Sequence, residues 1–272
     1  MQTDTLFLLD RNVVDVIKVA NTGIEQKGEM QERMFRFLKS IDAIQYSVSP
    51  LLSLIEGEKG REDDADEKIA QLHTETSAVA SFFLHARTDE NYMKAEQEQF
   101  SKVFTRFREG SYEARAAFRE QAIPFVLQKI APKNRRKVED QLLELARSIG
   151  LKTDDGIVVL FLACLYANDA ARDVLKPSKP EMTYNVLSDI HLIPRIGLIK
   201  TVAKDKAPGL KVRLLTLDQG LEKVLGHVRI AAGDIVDGAV ENIGVRYLHP
   251  LFIGLSEIQA RAMLNRIRST NN

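Results

Sequence analysis

The run Thr5-Leu-Phe-Leu-Leu9 ends on Asp10, and this pairing of an apolar stretch with a terminal acid constrains the fold more than any other feature of the chain. The run does not alternate polar with apolar residues, so both of its faces need cover, as in a strand buried inside a parallel sheet. Asp10-Arg11-Asn12 interrupts it, and Val13, Val14, Ile17 and Ala20 then recur at helical spacing. The same pattern returns two hundred residues later. Lys211 to Leu217 reads as a strand and is followed by Asp218-Gln219-Gly220. Open parallel sheets bind ligands beyond the carboxyl ends of their strands. Two separate strands are therefore expected to deliver an aspartate to one edge.

The remaining periodicities predict an α/β chain interrupted by helices. Met30 to Ser40 carries Met30, Met34, Phe35 and Leu38 on one face. Ser49 and Pro50 make an N-cap and a first-turn proline for Leu51 to Glu56, which Gly57 stops. Within 61–180, helical stripes run through Ile69, Leu72, Thr76, Val79 and Phe83, through Met93, Phe100, Val103, Phe104 and Phe107, and through Val138, Leu142, Leu145 and Ile149. Ile157 to Ala167 is apolar all round and reads as a buried helix, and Lys176-Pro-Ser-Lys-Pro180 as a linker. Short strands are expected at His227–Ile230 and Gly244–Leu248, and a last helix from Ser256. The expected organisation is an α/β core from 1–60 and 181–272 around an all-helical insertion at 61–180.

Composition excludes several classes. With 44% hydrophobic residues in 272, the chain has ample material for a core and is not disordered throughout. Its single cysteine, Cys164, has no partner for a disulfide or a thiolate metal cage. The 38 basic and 38 acidic residues balance, which argues against nucleic-acid binding by bulk positive charge and leaves a local patch open. The longest apolar run falls short of the roughly 20 residues of a membrane span, and the first strand lacks a basic leader. The expectation is a cytoplasmic protein with no membrane partner.

Four acids have neighbours that argue against an ordinary solvated role. Asp10 and Asp218 close strands. Glu56 sits one turn after Leu52, on the apolar side of its helix. Asp189 stands four residues after Asn185, and Leu192, Ile193 and Ile196 continue its stripe, although Pro194 predicts a break there. Converging carboxylates repel one another, and Mg²⁺ or Mn²⁺ relieves that repulsion with the oxygen ligands such ions prefer. The chemistry such a cluster supports is metal-assisted phosphodiester hydrolysis. For Asp10, Asp218 or Asp189 alone a helix cap is an equal alternative, and for Glu56 alone a salt bridge or a polar helix end is the better one.

The order of these acids resembles that of the PIN-like nucleases. Leu6-Phe-Leu-Leu-Asp10-Arg-Asn12 is similar to the family's first motif and Ser49-Pro-Leu-Leu-Ser-Leu-Ile-Glu56 to its second. Tyr184-Asn-Val-Leu-Ser-Asp189 is similar to the third and Leu214-Leu-Thr216-Leu-Asp218 to the fourth. The resemblance covers 1–60 and 181–272. It implies a three-layer α/β/α fold with a central, mainly parallel sheet. Asp10, Glu56, Asp189 and Asp218 would hold Mg²⁺ or Mn²⁺. Asn12 and Thr216 would steady the first and fourth acids, and Asn185 would contact metal-bound water or substrate phosphate. The helical insertion and the long interval from Asp189 to Asp218 depart from the pattern, so Asp154 or Asp155 is an alternative third acid, with Asn168/Asp169 a weaker one. The implied activity is endonucleolytic cleavage, of RNA before DNA, as in toxins and anti-phage effectors, with the insertion free to bind an antitoxin or another protein partner, or to form a homo-oligomer.

The histidines, His191 included, show no metal-ligand spacing, and Cys164 reads as an inert core thiol. Lys133, Arg135, Arg136 and Lys137 form one basic run. Arg106, Arg108, Arg115 and Arg119 form another, interleaved with Phe104, Phe107, Tyr112 and Phe118. Either is a substrate phosphate surface, with Arg135 and Arg136 its foremost candidates, or a solvated helix face. The competing function is a non-catalytic interaction module whose helical block binds a partner. A phosphatase-like use of Asp10 as nucleophile lacks the usual Asp two residues on.

Overall fold

The computed structural model describes residues 4–56, 64–106, 111–236, 239–241 and 243–269. Gly57, Phe107 and Arg108, named above, lie outside them. In chain order the elements are β1 (Thr5–Leu9), α1 (Arg11–Asn21), α2 (Glu29–Ser40), β2 (Tyr46–Ser49), α3 (Leu51–Glu56), α4 (Ala65–Phe82), β3 (Arg87–Thr88), α5 (Glu90–Ala95) and α6 (Gln97–Arg106). Next come α7 (Tyr112–Val126), α8 (Pro132–Ser148), α9 (Gly156–Leu165), α10 (Asp169–Leu175) and α11 (Thr183–Lys206). The chain ends with β4 (Lys211–Leu215), α12 (Gln219–Leu225), β5 (Val228–Ala231), β6 (Asp234–Val236), β7 (Ala239–Glu241), β8 (Gly244–Tyr247) and α13 (Glu257–Ser269). Among the described residues no helix is long and apolar enough to cross a membrane.

The chain divides into two compact units. The first comprises Met1–Arg108, Arg195–Asp218 and Ala231–Ile243. Its centre is a four-stranded sheet in the order β3-β2-β1-β4, and every pairing is parallel. Leu9 stands opposite Leu215, and Leu8 opposite Ser49. One core joins Phe7, Leu9 and Val48 of the sheet to Val13, Val14 and Ile17 of α1, Leu38 of α2, and Val79 and Phe82 of α4. Each of these large apolar side chains is almost completely buried, a contribution of about 1.5–3 kcal/mol apiece. The alternation of the strand explains the split, since Leu8 points away from this core yet is itself fully buried.

The second unit comprises Glu109–Pro194, Gln219–Ile230 and Gly244–Asn272. Its middle is α9, in which every residue from Ile157 to Leu165 is buried, as the all-round apolar pattern requires. Around it pack α7, α8 and α10, and β5 pairs with β8. Arg119 of α7 is fully buried. Its guanidinium donates to the carbonyls of Leu175, Lys176, Lys179 and Pro180 and to the Thr183 hydroxyl, so it ties down the proline-rich linker.

These units part the chain differently from the expected 1–60, 61–180 and 181–272. Residues 64–106 belong with the sheet: α4 packs on α1, and Arg87–Thr88 adds the β3 edge strand. The stretch 219–230 and the C-terminal segment from 244 belong with the helices instead. The stripe from Met93 to Phe107 is broken at Glu96, between α5 and α6. The break expected at Pro194 is absent, because α11 continues through it, with Leu192, Ile193 and Ile196 buried on either side.

Candidate functional site

Asp10 is the residue on which the sheet edge converges. Its backbone N–H donates to Leu215 O of β4 at 3.0 Å, which extends the β1–β4 pairing to the end of the strand. Its side chain is nearly buried. As the N-cap of α1, it accepts Arg11 N–H at Oδ1 (2.8 Å). Oδ2 accepts from Asn12 Nδ2 (2.8 Å) and from the Thr216 hydroxyl (2.6 Å). Capping alone would explain Oδ1. It does not explain a second oxygen held by residues of two strand ends.

Asn12 and Thr216 lock the two ends together. Asn12 Oδ1 accepts Leu217 N–H at 2.8 Å, and Thr216 Oγ1 accepts Asp218 N–H at 3.0 Å. The loop that carries Asp218 is thus fixed by hydrogen bonds to the loop that carries Asp10. This lies where the sheet order turns back: the chain passes from β1 outward to β2 and β3, then returns to β1's other side as β4. Such a switch point is where open parallel sheets leave a crevice at the strand ends.

Glu56, at the end of α3, reaches the same place. Its carboxyl is hydrogen-bonded to that of Asp10. Burial pushes the Asp10 carboxyl above its ordinary range, against the hydrogen bonds from Thr216, Arg11, Glu56 and Asn12 that favour the ion. Asp10 is buried and Glu56 half-buried, and two carboxyls in contact favour holding one proton between them. The helix that presents Glu56 is pinned from behind. Lys68 Nζ of α4 donates to Leu54 O (2.7 Å), and Gln71 Nε2 donates to Ser53 O (3.3 Å).

One acid of this edge escaped the sequence. Asp89 follows β3 directly, as Asp10 follows β1, and Asp218 lies three residues beyond β4. Its Oδ1 is buried without a hydrogen-bond partner among the described residues. The Ser49 hydroxyl donates to its carboxyl, and Ser49 Oγ also accepts Leu51 N–H at the start of α3 (3.1 Å). Burial raises the Asp89 carboxyl to about 6. No apolar run marks the two-residue strand before it. The only signal available was an Asp ahead of a short helical stretch.

The remaining candidates are placed elsewhere. Asp189 and Asn185 lie on α11 in the second unit. Asp189 Oδ2 is 3.2 Å from Lys176 Nζ, an ion pair in a mostly buried setting. Asp155 caps α9 and accepts from Arg115 at both oxygens, Nε to Oδ1 (3.2 Å) and Nη2 to Oδ2 (2.9 Å), and Arg115 Nη1 lies 2.8 Å from His191 Nε2. These are intramolecular pairings within the second unit, and they neutralise Asp155. Arg135 and Arg136 are also engaged there. Arg135 Nε donates to Ile130 O, and its guanidinium lies so close to Gly254 that a Cβ at that glycine would meet Nη1 at 2.3 Å. Arg136 pairs with Glu139 and Asp140 of its own helix. Burial pushes the Cys164 thiol up to about 11, which leaves it unreactive at neutral pH.

Among the described residues no three Asp, Glu, His or Cys side chains are gathered closely enough to form a metal cage on their own. The donors that do meet are the carboxyls of Asp10 and Glu56, hard oxygens of the kind Mg²⁺ and Mn²⁺ select. Comparison with protein-family models, with curated proteins and with solved structures yields no match to this chain.

Proposed function

We propose that the chain is a metal-dependent phosphodiesterase of PIN-like type that cleaves nucleic acid internally, RNA in preference to DNA. The observation that carries this reading is the Asp10–Glu56 carboxyl contact at the switch point of a parallel sheet, tied through Thr216 to the loop of Asp218. In this reading Asp10 and Glu56 hold Mg²⁺ or Mn²⁺, and Asp218 would join them only on a movement of its loop, since the three acids are not gathered here. A divalent ion so held supplies hydroxide at neutral pH and a positive charge for the phosphoryl oxygens.

The protein's own part is arrangement. Asn12 and Thr216 keep the Asp10 carboxylate oriented toward Glu56 and leave it no freedom to turn away. The raised Asp10 carboxyl makes the pair a holder of one proton in the absence of a cation, so metal binding releases that proton and strengthens as pH rises. The resemblance also calls for Asp189. Its ion pair to Lys176 makes it the residue whose substitution discriminates a four-acid site from one built by the first unit alone.

The test is Mn²⁺-dependent cleavage of labelled RNA and DNA by wild type, Asp10→Asn, Glu56→Gln, Asp218→Asn and Asp189→Asn. The expected result is cleavage by wild type and none by the first three variants. Cleavage in excess chelator, or full activity of Asp10→Asn and Asp218→Asn, would refute the mechanism. Activity of Asp189→Asn decides between the two ligand sets.

A further inference from the structure

A groove in the first unit runs along the open edge of the sheet. It encloses about 500 Å³ and is lined by Lys200 and Lys204 of α11, by Lys211 and Arg213 of β4, and by the apolar Leu210 and Val212. No carboxylate lines it. Lys204, Lys211 and Arg213 are exposed and Lys200 is half-buried. Lys204 lies 3.5 Å from the exposed Asp234, a pairing of the kind worth less than about 1 kcal/mol in water. In a chain with zero net charge, four cations around one concave surface are a local excess.

Their spacing has a direction. Lys200 and Lys204 are one helical turn apart, with Cβ atoms about 5–6 Å from each other. Lys211 and Arg213 alternate on a strand, about 6.6 Å apart along it. Both rows step at the scale on which phosphates succeed one another along a nucleic-acid strand. β4 then runs on through Leu215 to Asp218, so the groove and the acidic edge are joined by one strand, at most about 24 Å of chain from Lys211 to Asp218. The lining holds no aromatic ring. A strand lying there would be gripped by its phosphates and not by stacking of its bases.

We propose that this groove binds the sugar–phosphate backbone of single-stranded nucleic acid and guides it along β4 toward Asp218 and Asp10, without selecting its sequence. The guiding role rests on the nuclease reading above, whereas the binding does not. This assigns the substrate phosphates to the first unit, in place of Arg135 and Arg136.

The experiment is fluorescence polarisation of labelled oligouridylate and oligothymidylate at a series of salt concentrations, in chelator. The protein carries Asp10→Asn, with and without the triple change Lys204→Glu, Lys211→Glu and Arg213→Glu. The triple change is expected to weaken binding at least about tenfold and to flatten the log–log salt slope by about 2, three contacts at roughly 0.7 each. A second variant with Gln at the same three positions is expected to flatten the slope equally, and its native circular dichroism separates lost contacts from lost folding. Unchanged affinity and slope in both variants would overturn the proposal and leave the cations as guards of an open strand edge. So would a polyglutamate probe that binds while both oligonucleotides do not. Should the charge variants lose binding although wild type never cleaves, the groove stands and the nuclease reading falls. Should wild type cleave while the charge variants bind normally, the reverse holds.

Discussion

Replacing Asp89 by Asn should make the protein more stable at neutral pH and leave it unaffected by the change in acid. Asp89 ionises near pH 6 in the folded chain instead of at its ordinary 3.8. Between those values the native state holds a proton that the unfolded chain has already released. Stability therefore falls as pH rises through that window, and the loss is complete above about 6. The interval of roughly two pH units corresponds to about 3 kcal/mol at pH 7.5. Desolvation of the carboxyl, with Oδ1 enclosed and unpartnered, is the cause, and the Ser49 hydroxyl offsets only part of it. Asn matches the shape and carries no charge, so its effect at pH 3.5 reports only local hydrogen bonding. The quantity to measure is the difference between Asn and Asp at pH 7.5 minus that at pH 3.5. Native-state hydrogen exchange at the β1 and β2 amides is the suitable assay, because it reads the sheet of the first unit and the chain has no tryptophan to serve as a probe. A difference near zero would show that Asp89 is solvated or paired, and the argument from burial would fail.

Asp10→Asn puts an amide NH₂ where an oxygen accepts from Arg11 N–H or from Asn12 and Thr216, so in chelator it should lose part of what it gains by removing a buried charge. In the same variant, the thermal stabilisation that Mn²⁺ gives wild type should disappear; stabilisation of equal size in both would refute the assignment of Asp10 as a ligand. Arg119→Met should destabilise the second unit by about 3 kcal/mol or more. It strips the hydrogen-bond donor from four carbonyls and a hydroxyl at once, and denaturant melting with exchange at the α9 amides would show whether the loss is confined there.

The strand-end acids were legible because the signal is local. An apolar run that does not alternate, stopped by Asp, specifies β1 and its carboxyl edge within ten residues, whereas β4 alternates Lys211-Val-Arg213-Leu and is read from the mostly apolar Leu214 to Leu217 stretch before Asp218. Glu56 was legible through its position one turn after Leu52. Asp89 was not, because a strand of two residues, Arg87 and Thr88, carries no periodicity and exists only as a partner of Ser47 and Val48. The grouping of the helices into units was hidden for a related reason. The stripe of α4 shows that it buries one face, but not that α1 supplies the surface. The split of the Met93–Phe107 stripe and the persistence of α11 through Pro194 show neighbouring packing overriding a local rule in opposite directions. Basic residues were hardest to read. Arg135 and Arg136 are consecutive and conspicuous, but Arg135 is bound to Ile130 O and Arg136 pairs along its own helix, while Lys200, Lys204, Lys211 and Arg213 are spread over the end of α11 and β4 and share one groove.

That pairing has a consequence for a ribosome making this chain. Asp10 and Thr216 are 206 residues apart. At synthesis rates of about 5–20 residues per second, β1 waits roughly 10–40 s with one edge bare before β4 has been made. Until then Asp10 lacks the Thr216 hydroxyl, and the loop of Asp218 does not exist.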